Sequence, residues 1–98
     1  MARNSCVVVG GGIAGVMTAL HLQRRGEQVT LIDRWGPGHA RAASTDYNRV
    51  IRAISGRDEF YTRWVRQSRQ MWLEMQAEVG QNLMYECGAL ILATEGHC

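Results

Sequence analysis

Gly10, Gly12 and Gly15, within the stretch GGGIAG, stand in the order G-x-G-x-x-G. Where such a spacing joins a strand to a helix, it suits the binding of a dinucleotide pyrophosphate. Gly10 permits a tight turn, and Gly12 lets a phosphate approach the backbone with no Cβ in its way. Gly15 lets the helix lie close against the strand. Ile13, Ala14 and Gly15 form the first turn of that helix, where free N–H groups and the positive end of the helix dipole face an anion. The fourth feature is Asp33, about twenty residues further on, where a carboxylate can accept from both hydroxyls of a ribose. An Asp there disfavours a 2′-phosphate because two anions repel, although Arg34 beside it tempers that exclusion. The motif by itself fits NAD or FAD. Gly11, the middle glycine of the run, reads as a filler position.

The elements around these residues support the chemistry. CVVV, Cys6–Val9, is β-branched and apolar on both alternating faces, as in a strand of a parallel sheet covered on both sides. Ile13 to Arg25 reads as a helix with Ile13, Val16, Met17, Leu20 and His21 on one face. Gly26 stands in the helix-stopping place. Val29–Ile32 is a second strand that ends at Asp33. The whole is a strand–helix–strand unit of the length a parallel crossover needs.

RWGPGHARAASTDYN, about fifteen residues with the chain's one proline, reads as a loop, and ordered loops of that length are often functional. RVIRAI follows as a short strand. A long helix then runs from an Asp58 N-cap to about Val79, with Glu59 in its first turn and Gly80 as its stop. Phe60, Tyr61, Trp64, Val65, Ser68, Met71, Trp72, Met75 and Val79 form one stripe, which reads as core packing. The tail is expected to form two short antiparallel strands, Leu83–Cys87 and Ala89–Thr94, bent at Gly88.

Composition narrows the function classes. The chain has 98 residues and a net charge of +2, and every basic residue is an arginine. Those arginines are interspersed with carboxylates, so there is no basic stripe for nucleic acid and no polybasic membrane patch. An export signal is a competing explanation of the apolar stretch Cys6–Leu20 behind Arg3. The glycine centre makes a poor continuous helix, and HLQRRG offers no small-residue cleavage site. Cys6, Cys87 and Cys98 form no CxxC, and His21, His39 and His97 are not at metal-ligand spacing from them. That usage fits a reducing compartment and a cytoplasmic protein.

Together, VVVGGGIAG, VTLIDRWGPGH, STDYNRVIR, MWLEM and YECGALILA resemble the FAD-dependent amine and amino-acid oxidases of the D-amino-acid oxidase superfamily. The sarcosine oxidase-like branch is the nearest in pattern. The resemblance covers essentially the whole chain and implies FAD as cofactor. It implies that Gly10, Gly12 and Gly15 hold the pyrophosphate and Asp33 the adenosine ribose, with Arg34 and Trp35 near the adenine. Ser44, Thr45 and Asn48 would approach the pyrophosphate or flavin. Arg49 would lie by the isoalloxazine and Arg52 would face a substrate carboxylate, a pairing suited to a planar guanidinium. Without that resemblance, Arg49 and Arg52 read as two solvated arginines beside a short strand.

The fold class expected is therefore α/β: a Rossmann-type βαβ FAD-binding unit, a long helix and an antiparallel strand pair, forming an incomplete domain. Residues 1–98 would be the N-terminal part of the FAD-binding domain, with 53–98 beginning the substrate side. The parent enzyme would oxidise a small-molecule amine or N-alkyl amino acid, and this chain alone would not turn over. TDYN departs from the sarcosine oxidase pattern and leaves the substrate open. Two alternatives are another FAD- or NAD-binding module, such as a flavin monooxygenase, and a non-catalytic protein that binds a partner through its tryptophan-bearing helix.

Overall fold

The computed structural model describes residues 3–54 and 58–92. The elements run β1 (Ser5–Val9), α1 (Ile13–Arg24), β2 (Gln28–Ile32) and α2 (Glu59–Val79). The chain divides into two compact units, Met1–Arg49 and Val50–Cys98.

In the first unit β1 and β2 pair in parallel, from Ser5 opposite Gln28 to Val9 opposite Ile32. Backbone bonds extend the ladder past both ends: Gln28 N–H donates to the Asn4 carbonyl at 3.0 Å, and Gly10 N–H donates to the Ile32 carbonyl at 2.8 Å. The second of these fixes the start of the glycine turn beside the end of β2. α1 packs on the sheet face that carries Cys6, Val8, Val29 and Leu31, each half-buried. It ends as Gly26 predicts. Gly26 N–H donates to Gln23 and Glu27 N–H to Leu22, with Gly26 at φ 88°. That reversed pair of bonds satisfies the last carbonyls of the helix and turns the chain into β2.

The opposite sheet face differs from the sequence expectation. CVVV is covered on one side only: Val7 is 63% and Val9 81% exposed. Two strands with one helix provide a single cover, and no apolar side chain among the described residues is fully buried.

In the second unit α2 begins at Asp58, whose carboxylate accepts from Phe60 N–H at 3.1 Å, and ends at Gly80, which adopts the left-handed conformation at φ 67°. Val65, Ser68, Met71, Trp72 and Met75 of the expected stripe are half-buried. Its two ends are not core. Phe60, Tyr61, Trp64 and Val79 are exposed, and Phe60 packs instead on Tyr61 and Trp64 at ring distances of 5.5 and 4.5 Å.

Both strand expectations after β2 fail among the described residues. RVIRAI is irregular, with Val50 83% exposed. The antiparallel pair does not form either: residues 83–92 are irregular, and the described sheet is the parallel β1–β2 pair. Positions 93 and 94 of the second expected strand lie outside the described residues. A strand is stable only when its backbone groups find a ladder partner. Here Leu83 and Met84 donate instead to the Gln76 side chain of α2, at 2.9 and 3.2 Å. Arg69 of α2 likewise pairs with Glu86.

Candidate functional site

The site grows from the two places where β1 and β2 end. Gly10 leaves β1 at φ 108°, a conformation that disfavours any residue with a Cβ. Gly12 is the N-cap of α1 in extended conformation. A Cβ built on Gly12 would meet no atom within 4 Å, so the space beside it is open. Gly15 is the reverse case. A Cβ there would stand 1.7 Å from the Gly10 carbonyl oxygen, so the helix approaches the turn more closely than any other residue allows.

The first turn of α1 is arranged for an anion. Its N-cap has no side chain to accept an N–H, and no acidic residue lies in the first turn. The backbone donors at Ile13, Ala14 and Gly15 precede the first helical bond, from Val16 N–H to Gly12 at 2.9 Å. Unsatisfied donors at the positive end of a helix dipole are suited to a pyrophosphate. The open Gly12 position, the close approach at Gly15 and these donors fit the diphosphate of a dinucleotide.

Asp33 is fixed by three segments. Gly11 N–H donates to its Oδ2 and Trp35 N–H to its Oδ1, each at 2.7 Å. His39 Nε2 stands 3.5 Å from Oδ1. The Gly11 bond, then that of Trp35, holds the carboxyl below its ordinary value; partial desolvation opposes them, and His39 and Gly36 add to the lowering. Asp33 is thus an anion at neutral pH. A carboxylate offers about four acceptor positions, so these partners leave room for a ribose hydroxyl.

Gly11 is not a filler. It is the one described residue that is buried. A Cβ there would come within 3.0 Å of the Asp33 Cβ. The run of three glycines therefore has a reason at each place, and the third consecutive glycine was the signal available in the sequence.

Arg34 and Trp35 follow at the end of β2. The Arg34 guanidinium lies 4.9 Å from the Trp35 ring centroid and that of Arg41 lies 4.6 Å away, both within cation–π range. Arg41 and His39 were not singled out by sequence reasoning, because neither spacing nor periodicity marks a residue within an irregular loop. Two successive turns shape that loop, with Ala42 N–H donating to His39 and Thr45 N–H to Ala42, each at 3.0 Å. Ser44 and Thr45 are half-buried, while Asn48 and Arg49 are exposed. Arg49 donates through Nε to the Ser44 carbonyl. Hydrogen bonds thus join Ser44 to Arg49 as one group and Gly11, Asp33 and Trp35 as another. Arg52 belongs to the second unit, where it is exposed.

A profile of the family described as FAD dependent oxidoreductase matches residues 5–97. The chain belongs to the FAD dependent oxidoreductase family. FAD is the cofactor of that family. Among curated relatives, the peroxisomal sarcosine oxidase of Homo sapiens is 34% identical over 86 residues, covering 88% of this chain and 22% of the relative. The monomeric sarcosine oxidase of Bacillus sp. (strain B-0618) is 26% identical, over 92% of this chain and 23% of the relative. The N-methyl-L-tryptophan oxidase of Yersinia pestis (strain Pestoides F) is 26% identical, over 91% of this chain and 24% of the relative. The chain therefore spans less than a quarter of the length of these relatives. No solved structure matches it. No helix among the described residues is long and apolar enough to cross a membrane.

Proposed function

We propose that this chain forms the FAD-holding turn of an oxidase that acts on an amine or N-alkyl amino acid of the sarcosine kind. The observation that carries this reading is the open, uncapped start of α1 beside a fixed, ionised Asp33, in a chain matched by the FAD dependent oxidoreductase family over residues 5–97. The names of the relatives, sarcosine oxidase and N-methyl-L-tryptophan oxidase, support the substrate class.

In this reading Ile13, Ala14 and Gly15 donate to the pyrophosphate past Gly10 and Gly12, and Asp33 accepts from the adenosine ribose. Trp35, with Arg34, borders the adenine. Ser44, Thr45 and Asn48 line the path toward the flavin. Arg49 and Arg52 supply positive charge at the flavin and at a substrate carboxylate. Bound FAD would supply the hydride-accepting and oxygen-reducing chemistry. Residues 1–49 would serve the dinucleotide, residues 53–98 would begin the substrate side, and turnover would need parts that the relatives carry outside the matched region. The free thiols of Cys6 and Cys87 accord with a reducing compartment such as the cytoplasm.

Titration of the chain with FAD, followed by flavin fluorescence, tests the binding. Saturable quenching that the Gly12→Ala variant weakens supports the reading. Equal quenching by both proteins, or none, refutes it. For the substrate class, a chain extended to the length of the relatives is expected to make hydrogen peroxide from sarcosine or another N-methyl amino acid. Bound FAD with no peroxide from any secondary amine would refute that part.

A further inference from the structure

We propose that His39 is a positioning residue for the Asp33 carboxylate and thereby belongs to the adenosine end of the dinucleotide site, an inference that rests on the FAD reading above. The argument begins with the ring's own hydrogen bond. Arg41 N–H donates to His39 Nδ1 at 3.1 Å. A ring nitrogen that accepts carries no proton, so the neutral imidazole has its proton on Nε2. That Nε2 lies 3.5 Å from Asp33 Oδ1. The side chains are only 19% and 13% exposed, so water screens the approach incompletely.

The carboxylate needs such a partner. The last torsion of an Asp side chain is broad and roughly two-fold. Gly11 N–H approaches Oδ2 from the glycine turn, and Trp35 N–H approaches Oδ1 from the residues just after β2. His39 comes from a third segment and is itself tied down, since its carbonyl accepts from Ala42 N–H at 3.0 Å. Approach from three segments leaves the plane of the carboxylate little freedom to rotate. The two guanidiniums of this region, Arg34 and Arg41, lie over the Trp35 ring. His39 thus sets its Nε2 toward the carboxylate across 3.5 Å. The acceptor capacity left on the carboxylate is then held in place for a ribose hydroxyl, with little reorganisation needed when the ligand binds.

The test compares wild type with His39→Phe, which keeps a flat ring but no donor, and with His39→Gln, whose amide can present an N–H in place of Nε2. FAD, ADP and FMN are the probes. ADP carries the adenosine end alone and FMN lacks it. His39→Phe should weaken FAD and ADP by about 3- to 10-fold, the scale of one ordinary net hydrogen bond, and should leave FMN unchanged. His39→Gln should restore both to within about twofold. Unchanged FAD and ADP affinity in His39→Phe, an equal loss for FMN, or a failure of Gln to restore binding would each overturn the proposal. A readout without ligand separates this inference from the cofactor reading: nitrogen NMR of the chain alone should show His39 as the Nε2–H tautomer. The Nδ1–H tautomer overturns the positioning role even if FAD binds. If wild type binds neither FAD nor ADP, the cofactor reading fails, and this inference with it.

Discussion

At the start of α2 the Asp58 carboxylate accepts Phe60 N–H, and Glu59 adds negative charge to the first turn. At the start of α1 the N-cap is Gly12, no N-cap side chain accepts an N–H, and no acidic residue lies in the first turn. Every helix begins with unsatisfied donors, and most sequences satisfy them locally. α2 follows that rule and needs nothing further. α1 leaves its donors without a cap and has glycine where a capping side chain would stabilise the helix. In the proposed reading the difference gives the glycines their purpose: α1 gives up local stability so that an external anion can complete it.

The largest effect expected at these two helix starts comes from Gly15→Ala. Its Cβ would stand 1.7 Å from the Gly10 carbonyl oxygen, so α1 or the turn must move. A loss of about 3 kcal/mol, the upper range for overpacking a close contact, should appear as a lower urea midpoint, together with loss of FAD binding. Gly12→Ala separates stability from binding. Its space is open and its φ of −73° is ordinary, so the urea midpoint should hold or rise slightly while FAD affinity falls about tenfold or more, equivalent to about 1.4 kcal/mol. At α2 the order reverses. Asp58→Ala should cost about 1 kcal/mol in thermal or urea unfolding and leave FAD affinity unchanged.

A smaller effect is set by acid. The folded Asp33 carboxyl titrates below its ordinary value. The unfolded chain therefore takes up the proton first, and the stabilisation is complete above the ordinary carboxylate range. It is lost as pH falls through the folded value. Glu86, lowered by its hydrogen bond from Arg69, acts in the same direction in the second unit. A series of urea midpoints should be flat from neutral pH down to that range and decline below it, with a shallower decline in Asp33→Asn.

Much of this was legible in the sequence wherever a local rule governs the outcome. The β1–α1–β2 unit, the Gly26 stop, the Asp58 cap and the Gly80 stop all follow from short-range patterns, and each lies within a residue or so of its expected place. What was not legible depends on partners distant along the chain. RVIRAI and residues 83–92 have strand-like composition, but a strand requires a neighbour, and 83–84 turn to the Gln76 side chain instead. CVVV reads as doubly covered because its composition fits that setting; α1 covers one face. At the site, Gly10, Gly12, Gly15 and Asp33 were readable because motif and mechanism coincide. His39 was not, since it matters through a contact with Asp33 that spacing does not reveal; Gly11 was marked only as an extra glycine in the run, its contact with Asp33 equally hidden.

The most direct measurement is the backbone amide NMR spectrum of the chain as FAD is added. Donation from the open helix start requires the amides of Gly12 through Gly15 to shift saturably with FAD, while those of Glu59 through Thr62, at the capped start of α2, stay in place. Amides of the glycine turn that do not move at saturating FAD, or shifts concentrated at the start of α2, would contradict it.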